Sequence, residues 1–102
     1  MSKRKNLFKY YPTVQMWDKF ICMDKNGDWN LTDAQANYEY NQNEGEKALT
    51  NAIDECINGF KTNASCTALD MVYVLLDEAN DINVNCTLID TLRLKTKQEW
   101  EK

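Results

Sequence analysis

The chain is 102 residues long, 43% hydrophobic, 11% aromatic and 27% charged, a balance that builds one globular domain and excludes an intrinsically disordered chain. Twelve basic and 16 acidic side chains leave a net charge of −4, the wrong sign for a nucleic-acid binder, and no run approaches the ~20 apolar residues of a membrane span. Three glycines and one proline are too few turn formers for a many-stranded sheet, so an all-α fold is expected, a compact bundle of about four to five short helices.

Residues 1–11 carry the basic run Lys3–Lys5 and no apolar h-region of a signal peptide. They are expected to form a flexible, solvated N-terminal segment ahead of a single helical domain over 12–102, in a cytosolic protein or a mature form with a start Met. Pro12 suits the first turn of a helix, where its missing N–H costs nothing. Val14, Trp17 and Ile21 recur at helical spacing with Phe20 beside them, which predicts a first helix over 12–23.

The stretch DKNGDWNLTDAQ then places Asp24, Asn26 and Asp28 at positions 1, 3 and 5 of a calcium loop. Such a loop also needs Gly at position 6 and a bidentate Glu at position 12, where this chain has Trp29 and Gln35. A turn followed by a capping box of Thr32 and Gln35 accounts for every residue instead, so no metal is expected and a second helix is predicted over 32–41. In the third helix, 44–58, Leu49, Ile53, Cys56, Ile57 and Phe60 share a face, and Gly59 stands where a left-handed cap belongs. A fourth starts near Ser65 and runs through Leu69, Val72, Leu75, Leu76 and Ala79. The fifth starts at Thr87, capped by its own hydroxyl, and buries Leu88, Ile89 and Leu92 before turning charged toward Trp100.

Four cysteines, Cys22, Cys56, Cys66 and Cys86, are separated by 33, 9 and 19 residues, and histidine is absent. That spacing is unlike a zinc site and fits a secreted scaffold stapled by two disulfides, each contributing ~2–4 kcal/mol. A bridge from Cys56 to Cys66 across one short loop, with Cys22 to Cys86, is geometrically easy. Three glycosylation sequons, at Asn30, Asn63 and Asn85, also point outside the cell. Catalysis lacks its usual parts. Without histidine there is no common general base, and the carboxylate pairs Asp54–Glu55 and Asp77–Glu78 are adjacent on helices and so diverge. No catalytic residue, cofactor or metal is assigned.

The order of parts, FICMDKNGDW from Phe20, a turn, a polar helix, then AIDECINGFKTNASCTALDMVYVLLDEA from Ala52, resembles the insect odorant-binding-protein superfamily. There a cysteine ends one helix, a second ends the next long helix and a third opens a helix about nine residues on, matched here by Cys22, Cys56 and Cys66. The likeness covers about residues 12–80. It departs in having four cysteines for six, with Cys86 in place of one expected near Leu75. The crossing pattern that the resemblance implies would pair Cys22 with Cys66 and Cys56 with Cys86, so both connectivities stand open. In length, cysteine number and texture the chain also resembles the small salivary proteins of blood-feeding sand flies of the anticomplement type. That resemblance implies a secreted, monomeric, non-enzymatic inhibitor of the classical complement pathway whose partner is a host plasma protein, an early complement component.

Two uses of the scaffold are expected to leave different marks. A surface-acting inhibitor would anchor its partner through Tyr10, Tyr11, Trp29, Tyr38 and Tyr40, since Tyr and Trp are favoured at interfaces. A carrier of a small hydrophobic ligand would instead line a cavity with Leu49, Ile53, Val72, Leu76 and Ile89.

Overall fold

In the computed structural model, which describes residues 2–4 and 11–101, Pro12 does begin the first helix, α1 (Pro12–Phe20). Its N-terminus is closed from another element: the Thr13 amide donates to Glu55 Oε2 at 3.0 Å, and the Thr13 hydroxyl donates to the same oxygen. Val14, Trp17 and Asp18 are buried, and the Trp17 and Phe20 rings stack with centroids 5.9 Å apart. The helix stops short of residue 23 because Cys22 turns left-handed, with φ of 61°. The Cys22 and Met23 amides then donate back to the Lys19 and Asp18 carbonyls, a Schellman ending.

Asp28–Trp29 form a short strand, β2, paired antiparallel with β1 (Ser2–Lys3), so that Ser2 faces Trp29 and Lys3 faces Asp28. Helix α2 (Leu31–Tyr40) begins one residue earlier than predicted. Its N-cap is Asn30, whose Oδ1 accepts the Asp33 amide at 3.1 Å, in place of the expected Thr32–Gln35 box. Gln35 reaches away to donate to the Asp81 carbonyl at 3.0 Å. A single residue, Asn41, separates α2 from α3 (Gln42–Asn63). Helix α4 (Cys66–Asp81) is capped by Ser65, as its hydroxyl accepts the Ala68 amide at 3.2 Å. It closes with a second Schellman ending in which Asn83 takes φ of 63°. Helix α5 (Cys86–Trp100) is capped by Asn85, not by the Thr87 hydroxyl: Asn85 Oδ1 accepts the Thr87 amide at 2.9 Å.

Helix α3 is the axis of the bundle, with α1 and α4 packed along it and α5 and α2 resting more lightly. Leu49, Ile53, Leu75, Leu76, Ile21 and Trp17 are fully buried in one continuous core. Each such side chain contributes about 1.5–3 kcal/mol relative to exposure. At the surface, Lys95 pairs with Asp54 at 2.6 Å and Lys61 with Glu99 at 3.5 Å, holding the charged end of α5 to α3 with little net energy. Among the described residues no helix is long and apolar enough to cross a membrane.

Gly59 corrects the sequence reading most sharply. It lies inside α3 and the helix runs on to Asn63, with Ala64 taking the left-handed turn at φ of 51°. The position is small because Tyr11 leans on the helix: a Cβ at residue 59 would sit 2.6 Å from the Tyr11 hydroxyl oxygen. Gly59→Ala is therefore expected to cost about 1–3 kcal/mol in urea unfolding despite the better helix propensity of Ala. The same substitution in a Tyr11→Phe background should cost measurably less, and equal costs in the two backgrounds would place the strain elsewhere.

Candidate interaction surface

The aromatic residues expected to meet a partner divide by helical and strand geometry. Trp29, on β2, is 2% exposed and turned into the core. Tyr38 is 5% exposed, and its hydroxyl donates to Glu46 Oε2 and accepts the Asn85 amide, each at 3.1 Å. Both belong to the core, correcting their assignment to a binding face. Tyr11 is half-buried beneath Gly59, and Tyr10 lies outside the described residues. Tyr40, two residues beyond Tyr38 and so on the opposite side of α2, is 89% exposed.

Tyr40 stands at the corner where α2 meets α3, beside an open depression lined by residues 39–44. Across Glu44 lies a second depression of about 140 Å³ between α1 and α3, lined by Thr13, Met16, Lys47, Ala48 and Asn51. Met16 is 64% exposed. Tyr40 and Met16 thus flank one face with Glu44 between them. Met16 was missed from the sequence, although its place off the Val14–Trp17–Ile21 stripe was the available signal. A separate apolar exposure, Leu94 and Trp100, lies on α5, where the Trp100 ring sits 6.3 Å from that of Phe60.

The residues expected to line a carrier cavity, Leu49, Ile53, Val72, Leu76 and Ile89, all fall within the packed core. In the loop that resembles a calcium site, Asp24 Oδ1 accepts the amides of Asn26 at 2.8 Å and Asp28 at 3.0 Å, and Gly27 supplies the turn with φ of 83°. Among the described residues no group of three or more His, Cys, Asp or Glu side chains converges as metal ligands would.

The cysteines are placed unequally, and the two expected disulfides are not formed. Cys56 is sealed on the inner face of α3, while Cys22, Cys66 and Cys86 are exposed free thiols. Burial, helped by the Glu55 charge and opposed by Arg4, pushes the Cys56 thiol up to about 12, so it stays protonated and unreactive at neutral pH. In the reduced, folded chain a thiol reagent should modify three cysteines quickly and Cys56 ~10²-fold or more slowly, limited by opening of the core. Four equally fast thiols would contradict this placement. The three sequon asparagines, Asn30, Asn63 and Asn85, are exposed. Asn30 and Asn85 are also the N-caps of α2 and α5, which gives those two a structural reason to be Asn.

One buried polar cluster had no signal in the sequence. Arg4 joins Asp18 of α1 and Glu78 of α4, with side chains 8%, 8% and 7% exposed, so Arg4 is no part of a solvated tail. Burial raises the Asp18 and Glu78 carboxyls above their ordinary values, with Arg4 opposing the shift in both. Because the folded values are raised, folding takes up protons. The associated stability is full below the ordinary carboxylate range, from about pH 4 down, and is lost as pH rises through the folded values. Glu78→Gln, which cannot ionise, is expected to flatten the decline of the urea midpoint as pH rises out of the ordinary carboxylate range. An unchanged slope would assign the proton uptake to other groups. No family model matches the sequence, and neither the curated proteins nor the solved structures compared with it give a match.

Proposed function

We propose that the chain is a non-enzymatic binding protein that engages a partner protein through its outer face. The observation that carries this reading is the face flanked by Tyr40 and Met16, two large side chains left in solvent, each beside one of two depressions that meet at Glu44, while the residues of the competing carrier reading are spent on the core. Exposed Tyr is a favoured interface anchor, and Met adapts to irregular partner surfaces.

The finer form of the proposal follows the salivary resemblance: a secreted inhibitor of the classical complement pathway acting on an early complement component in host plasma. Three exposed sequons support an extracellular setting.

The test is titration of the purified protein into human serum while lysis of antibody-coated red cells is followed. Dose-dependent protection is expected, with Tyr40→Ala and Met16→Ala each weakening it about tenfold or more while leaving stability within about 0.5 kcal/mol, as for other surface substitutions. Full lysis at saturating protein would remove the complement reading. Saturable uptake of a fluorescent apolar probe would then make ligand carriage the better account.

A further inference from the structure

The cluster around Arg4 is arranged as a ligand is arranged in a receptor. The guanidinium addresses Glu78 with two nitrogens, Nε to Oε2 at 2.7 Å and Nη2 to Oε1 at 3.3 Å, and Nη2 also donates to Asp18 Oδ1. This side-on, two-oxygen engagement uses the planar fork that distinguishes Arg from Lys. Trp17 Nε1 donates to Glu78 Oε1 at 3.1 Å and so fixes the carboxylate from behind. Arg4 Nη1 and Asp18 Oδ2 are buried and have no hydrogen-bond partner among the described residues, so among those residues the fit leaves capacity unused on both sides.

The walls and the occupant are held by different means. Asp18 and Trp17 belong to α1, Glu78 belongs to α4, and both helices are positioned by their packing on α3. The arm that brings Arg4 is a two-residue strand on the edge of β2, extended by the Arg4 amide, which donates to the Gly27 carbonyl at 2.7 Å. Addition of a strand to an exposed edge, with one side chain seated in a pocket, is a general mode of peptide recognition.

We infer that the pocket between α1 and α4, with the adjoining β2 edge, is a binding site for the arginine of an extended peptide segment. The chain fills the site with its own Arg4, and a competing segment of the same chemistry can displace it. The site reads a guanidinium and an antiparallel backbone beside Asp28–Trp29. It is independent of the Tyr40 face and stands whether or not that face binds complement.

The test uses the full chain carrying Arg4→Ala, which empties the pocket and removes the high local concentration of the tethered arm. A capped tetrapeptide copying residues 2–5 is titrated while the Trp17 indole N–H resonance is followed. Saturable movement of that resonance is expected, with a peptide bearing Ala in place of Arg binding at least ~10-fold more weakly and one bearing Lys falling between them. Equal binding of the three peptides, or no movement in a folded Arg4→Ala chain, would overturn the inference. Amide exchange in the unsubstituted chain gives a second readout. The Arg4 amide should exchange ~10²-fold or more faster than core amides of α3, as for a detachable element. Exchange of the Arg4 amide only with global unfolding would make the arginine an integral strut and overturn the inference, as would an Arg4→Ala chain that fails to fold.

Discussion

The fold depends on how closely its neighbours approach the backbone of α3. At Gly59 the Tyr11 hydroxyl lies against the helix, and at Gly45 a Cβ would stand 2.7 Å from both the Phe20 and Tyr38 rings. These two positions let the entry to α1, the end of α1 and the inner face of α2 settle on one helix. Between them Leu49, Ile53 and Cys56 point into the core. A Cβ at either position would force the aromatic side chain above it to shift, in an interior too closely packed to absorb the shift freely.

The helices were legible because their signals are local. Pro12, Ser65 and the apolar spacing of α1, α3 and α4 each act within one or two turns. The ends were harder. Gly59 resembled a cap because glycine favours left-handed turns, yet those turns fell to Cys22, Ala64 and Asn83, of which only Asn83 is a residue type that visits the left-handed region readily. Asn30 and Asn85 stand out in the sequence as sequons, yet the same side-chain oxygen that makes Asn a turn former makes them N-caps in the fold.

The candidate sites were less legible because they depend on distant partners. Tyr38 and Tyr40 have the same chemistry, and only the register of α2 decides that one is core and the other surface. Glu78 lies 74 residues from Arg4 and 61 from Trp17, so nothing local marks it as the floor of a buried polar pocket. Its neighbour Asp77, one residue away and exposed, pairs loosely with Arg93 at 3.7 Å. The arginine itself looked like part of a basic tail because nothing in the run Lys3–Lys5 separates a side chain bound for the interior from two others.

The single-residue joint at Asn41 shapes how the Tyr40 face can meet anything. Its amide donates to the Asn37 and Tyr38 carbonyls, closing α2, and its carbonyl accepts the Gly45 amide, opening α3. Ala34 and Tyr38 anchor one arm of the corner in the core, and Gly45 and Leu49 anchor the other. The corner therefore has no slack through which to pivot. A side chain displayed there reaches an incoming surface already oriented, so encounter is not followed by a search among backbone conformations. Little backbone entropy would remain to be lost in a contact made there, and the lifetime of such a contact would be set by the fit between the two surfaces.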